Sequence, residues 1–102
     1  MIRDGKIGVL ISPDFGSGIE DIDRFNDKLI QSVEAKESLE RIHILANHLF
    51  PGAYLGGLQG IEVIWVKIGR SFFVHEYDGS ESIWFMDEIK WLNSKPEELK
   101  ND

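Results

Sequence analysis

The sequence predicts an α+β domain, a small antiparallel sheet packed against one or two helices, and three observations carry that prediction. A β-branched apolar run near the start stops at a proline, the middle carries apolar residues at helical spacing, and the last third changes to alternation in twos. At 102 residues the expectation is a single domain, 1–102, with one core.

Lys6-Ile7-Gly8-Val9-Leu10-Ile11 reads as a buried first strand. Ser12-Pro13 ends it, because proline has no N–H to give a ladder. Pro13-Asp14-Phe15-Gly16-Ser17-Gly18, with a proline and two glycines, is a loop. From Ile19 the spacing of Ile22, Phe25, Leu29, Ile30 and Val33 predicts a helix. Glu20 and Asp21 suit its positive end, and Glu20 is set to pair with Arg24 one turn on. A second helix is predicted over Glu37 to Phe50, where Leu39, Ile42, Leu45, Ala46 and Leu49 share one side and Pro51-Gly52 stops the chain. The pattern leaves open whether Ala35-Lys36-Glu37 breaks or continues the helix.

After the glycine-punctuated link Ala53 to Gly60, Ile61 to Ile68 and Ser71 to Tyr77 flank Gly69-Arg70 and predict a hairpin. Ser82 to Met86 returns across Asp78-Gly79, a dipeptide that tolerates the positive φ of a type I′ turn, completing a three-stranded meander. Ile89, Trp91 and Leu92 are expected to close over the core, and 95–102 to fray. The place of the first strand in the sheet does not follow from the pattern.

Net charge is −7, from 18 acids against 11 Lys plus Arg, and that sign argues against direct binding of nucleic acid. The absence of cysteine excludes a disulfide framework, thiolate metal sites and a Cys nucleophile. No apolar run approaches the ~20 residues of a spanning helix, and the first residues lack a secretory h-region, so the expectation is a cytoplasmic protein without membrane contact.

The loop after the first strand has the outline of a phosphate cradle. It lacks a Walker lysine and GxGxxG, however, and Asp14, Glu20, Asp21 and Asp23 would repel a phosphate. Asp14, Gly16, Ser17 and Gly18, with Tyr54, Gly56 and Gly57, stand as the candidate loops of a small-ligand or nucleotide pocket. Glu76, Asp78, Glu81, Asp87 and Glu88 are five acids in thirteen residues with no Lys or Arg among them, a density that calls for solvent or a cation. Asp78-Gly79-Ser80-Glu81 lacks the ligand spacing of an EF-hand, and no metal site is predicted.

His43 and His48 are five apart, not the four that stacks two ligands, and there is no HExxH or GxSxG. In strand alternation Glu76 falls on the opposite face from His75 and Tyr77. No catalytic residue and no cofactor are assigned, and the expectation is a protein that is not an enzyme. The aromatics exceed what one inner sheet face needs. Trp65, Phe73 and Tyr77 on a shared exposed surface would make a platform for a base, a protein partner or a second copy in a homodimer.

Three segments carry a resemblance: Val9 to Gly18, Tyr54-Leu55-Gly56-Gly57-Leu58 followed by Val63-Ile64-Trp65-Val66, and Phe73 to Ile83. They resemble a group of small phage and prophage proteins of no assigned activity whose pattern runs VLxSPxFGxG, YLGGL, VxWV and FxIxEYDGSES. This chain departs from the pattern after Gly18. The resemblance implies a phage or mobile-element setting, and hence an inhibitor of a host defence or nucleic-acid-binding protein, of anti-CRISPR type, acting by protein contact. Its surface would be Glu76, Asp78, Glu81, Asp87 and Glu88, with Glu20, Asp21 and Asp23, offering carboxylates to a basic host protein. The alternatives are the ligand-binding module above and a structural or assembly protein.

Overall fold

A computed structural model describes residues 1–14 and 18–88. The expected closure by Ile89, Trp91 and Leu92, the expected tail, and Phe15, Gly16 and Ser17 of the first loop lie outside the described residues. The elements run β1 (Ile2–Arg3), β2 (Lys6–Ile11), α1 (Asp27–Glu34), α2 (Leu39–Leu49), β3 (Glu62–Lys67), β4 (Phe72–Tyr77) and β5 (Ser80–Phe85), with a 3-10 turn at Leu58–Gly60. The fold is α+β, as the pattern predicts.

Its topology is not the expected meander. β3 pairs with β2 and, among the described residues, β4 pairs only with β5, so these strands form a sheet β1-β2-β3 and a separate two-stranded sheet. The physical reason lies in β2 and β3, which are apolar on both faces. Leu10, Val63 and Trp65 join the helical core of Ile19, Leu29, Ile30, Ile42, Ala46 and Leu58. Val9, Ile11, Val66, Ile7 and Ile64 pack instead against Phe72, Val74, Ile83 and Phe85 of the hairpin. A sheet with two apolar faces needs a cover on each. Helices supply one and the β4–β5 hairpin the other, so β3 and β4 belong to different layers. β2, the strand read first from the sequence, is the centre of its sheet, and Gly8 leaves room for the Trp65 ring on the neighbouring strand.

Helix starts follow capping more closely than apolar spacing. α1 begins at Asp27, not Ile19. Asn26 accepts from the Leu29 N–H as its cap, while Asp21 at φ 61° and a bridge between Glu20 and Tyr54 keep the preceding segment extended. The expected Glu20–Arg24 pair therefore does not form. Lys36 at φ 54° breaks the chain between the helices, and Ser38 caps α2 by accepting from the Arg41 N–H. β5 begins at Ser80, immediately after the expected turn, with Asp78 and Gly79 at φ 48° and 83°. Asp4 and Gly5, at φ 52° and 75°, make the same kind of turn between β1 and β2, a hairpin absent from the sequence reading although its Asp-Gly signal is the same.

Candidate functional site

Residues from distant parts of the chain, Ser12 and Pro13, Gly57, and Ser80 and Glu81, meet at one junction. Ser12, at the end of β2, is fully buried. Its Oγ donates to the Gly57 carbonyl at 3.1 Å, its N–H to Glu81 Oε1 at 2.8 Å, and its carbonyl accepts from the Glu81 N–H at 2.8 Å. Ser80 Oγ donates to the Pro13 carbonyl at 2.6 Å, and the Gly57 N–H donates to the Gly18 carbonyl at 2.7 Å. These contacts close the two glycine loops upon each other. A Cβ on Gly57 would lie 2.0 Å from Ser12 Oγ, and one on Gly60 would lie 2.0 Å from Asp14 Oδ2. The loops expected to open as a pocket (Asp14 and Gly18 with Tyr54, Gly56 and Gly57) thus meet, among the described residues, as packed structure.

Glu81 corrects the sequence reading most sharply. It was expected on an acidic surface, yet it is only 5% exposed. Arg24 Nη1 and Nη2 donate to its two oxygens, both at 2.8 Å, and Nη1 also donates to the Leu10 carbonyl at 2.9 Å. Burial alone pushes this carboxyl up. The Arg24 hydrogen bond, the Ser12 N–H, the Arg24 charge and the Ile19 N–H outweigh burial and hold it below the ordinary glutamate value of 4.5. Alternation carried the missed signal: Glu81, Ile83 and Phe85 share the inward face of β5. Glu76 faces Glu81 across the ladder, so the Arg24 cation also relieves a like-charge pair.

The other acids do not gather into one patch. Glu76 accepts from the Gly79 N–H within the turn, and that turn lies against Gly18, which puts Glu76 and Asp78 at the loop end near Asp14. Asp87 and Glu88 lie beyond the opposite end of the hairpin, about 20 Å away at strand rise. There both pair with Arg70, at 3.5 Å and 3.1 Å. Glu20 and Asp21 are exposed, and exposed Asp23 accepts from the Phe25 N–H.

Between these acidic ends runs the outer face of the hairpin. Phe73, His75 and Tyr77 alternate outward from β4, with Trp84 opposite Phe73 on β5. His75 stacks on Trp84 with ring centres 3.9 Å apart, and Phe73 tilts against the same indole at 6.0 Å. Phe73, Tyr77 and Trp84 are 40%, 69% and 39% exposed. Trp65, expected on this platform, is instead on the helix-facing side of β3, with the Arg3 guanidinium 4.7 Å above its ring. Trp84 takes its place.

His43 and His48 lie on exposed parts of α2, and His43 Nδ1 is 3.0 Å from the Asn47 amide. Among the described residues no three metal-ligating side chains converge, and no helix is long and apolar enough to cross a membrane. Comparison with protein-family models, with curated proteins and with solved structures found no match.

Proposed function

We propose that the chain is a binding protein that acts by protein contact through the outer face of the β4–β5 hairpin, on a basic partner. The observation that supports this is the row of exposed Phe73, Tyr77 and Trp84 with half-buried His75, on a face that the core does not use among the described residues; Asp78 lies beyond its turn end, beside Glu76 of the opposite face, and Asp87 and Glu88, both paired with Arg70, lie beyond the other. Aromatic side chains exposed in a row contribute contact area at low entropic cost, and flanking carboxylates steer a cationic surface onto them. In a phage setting the partner is a host defence or nucleic-acid-binding protein, and the reading becomes inhibition of anti-CRISPR type. Glu81 has no part in it except to hold the hairpin in place.

The test is capture from host lysate by the immobilised chain, at low and high salt, beside Trp84→Ala and the pair Glu76→Lys with Asp78→Lys. A basic protein retained by the wild type, lost at high salt and lost from both variants is the expected result. Retention unchanged in both variants would remove this face from the function.

A further inference from the structure

Among the described residues one edge of the hairpin is unpaired, and we propose that it captures the partner by strand addition: an extended, lysine- or arginine-bearing segment pairs along β4. This rests on the binding reading above and specifies how the contact is made.

The edge follows from the hydrogen-bond phase of the hairpin. The two-residue turn at Asp78-Gly79 makes Tyr77 and Ser80 a bonded pair, and the Met86 N–H donates to the Ser71 carbonyl at the far end. Residues 73, 75 and 77 therefore spend their N–H and C=O groups on β5, while Phe72, Val74 and Glu76 direct theirs away from it. On β5 the outward groups are those of Glu81, Ile83 and Phe85, and the Glu81 N–H is taken by the Ser12 carbonyl. On β4, among the described residues, no group meets the outward N–H or C=O of Phe72, Val74 or Glu76.

Such an edge is normally protected by a lysine, a proline, a bulge or an inward-pointing charge, and of these β4 has only Glu76 on the face of Phe72 and Val74. Phe72–Tyr77 contains no Lys or Pro, and its ladder with β5 runs without interruption over six residues. A strand laid there would extend the outer face, setting its alternate side chains beside Phe73, His75 and Tyr77. Cationic side chains fit that row, because their stems lie on aromatic rings and their charges meet exposed Asp78 at the turn end. The hairpin itself bears only acids, and with a net charge of −7 a second copy is the less suitable occupant.

The probe is an end-blocked octapeptide of alternating lysine and valine, with its glutamate–valine counterpart as control. Residue-resolved amide exchange of the full chain is the readout. The lysine peptide is expected to slow exchange at Phe72, Val74 and Glu76 by at least about tenfold, leaving Phe73, His75 and Tyr77, already bonded, unchanged, with no effect of the glutamate peptide. Val74→Pro, which lacks the central outward N–H, is expected to weaken binding about tenfold. Should that variant unfold, Asp78→Lys, which keeps the edge and inverts the charge at its turn end, is expected to shift preference toward the glutamate peptide.

Lysine-peptide binding without protection of the three amides would overturn strand addition while leaving the acidic, aromatic face as the contact. Binding of neither peptide would also overturn it, with the lysate capture deciding the broader reading separately. Protection that rises with protein concentration in the absence of peptide would assign the edge to a second copy instead.

Discussion

Arg24→Met isolates the ion pair that ties the hairpin to the body of the fold. The substitution removes both bonds to Glu81, at 2.8 Å each, and the donor of the Leu10 carbonyl, leaving a carboxylate at 5% exposure with the Ser12 N–H still bound. Removing one partner of a buried pair strands the other charge, which costs about 3–5 kcal/mol. Arg24 is itself partly exposed, at 23% of its side chain, so the lower end applies, about 3 kcal/mol. With a urea m-value of about 1.5 kcal/mol/M, the midpoint falls by roughly 2 M.

The assay is urea unfolding followed by tryptophan fluorescence, at about pH 7 where Glu81 is ionised. The double variant Arg24→Met with Glu81→Leu removes both charges. It is expected to lose less stability than the sum of the single losses, with a coupling of about 2 kcal/mol, because no buried charge remains. A loss below about 1 kcal/mol for Arg24→Met, or additivity in the cycle, would refute the reasoning and return Glu81 to the surface.

The remaining expectations concern the same junction and the layers around it. Because the folded-state pKa of Glu81 lies below its ordinary 4.5, its stabilising contribution is intact above that value and is lost as pH falls through the folded pKa. Glu81→Gln is therefore expected to flatten the acid side of a stability profile, below the ordinary value of 4.5, measured by thermal melts. Gly57→Ala drives a methyl against Ser12 Oγ and the backbone nitrogen of Gly18, 2.7 Å away, and is expected to destabilise by about 2 kcal/mol or more in urea unfolding. Leu29→Ala, at a fully buried position, is expected to cost about 2–5 kcal/mol, whereas Tyr77→Ala on the outer face costs less than about 1 kcal/mol while weakening partner capture.

Elements whose signals are local were legible. β2 runs over Lys6–Ile11 as its composition predicts, α2 stops before Pro51, and Asp78-Gly79 turns with both residues at positive φ. The start of α1 is not legible from apolar spacing, because Ile19 and Ile22 reach the helical core from an extended segment while the cap Asn26 sets where the helix begins. The acidic stretch misled for a related reason. A count of charges ignores the alternation that turns Glu81 inward, and nothing local to residues 76–88 discloses that its cation is Arg24, 57 positions earlier.

Residue types and their periods thus decided, unaided, that this chain is α+β, that Asp78-Gly79 turns and that its last strands carry aromatics on both faces. Only tertiary structure decided which strands pair, which acid is buried and which aromatics remain outside. Secondary structure is written in neighbours a few residues apart, whereas layering is settled by where the second apolar face of β2 and β3 finds cover. That cover is the β4–β5 hairpin, and its placement commits Phe72, Val74, Ile83 and Phe85 to the core while leaving Phe73, His75, Tyr77 and Trp84 facing outward.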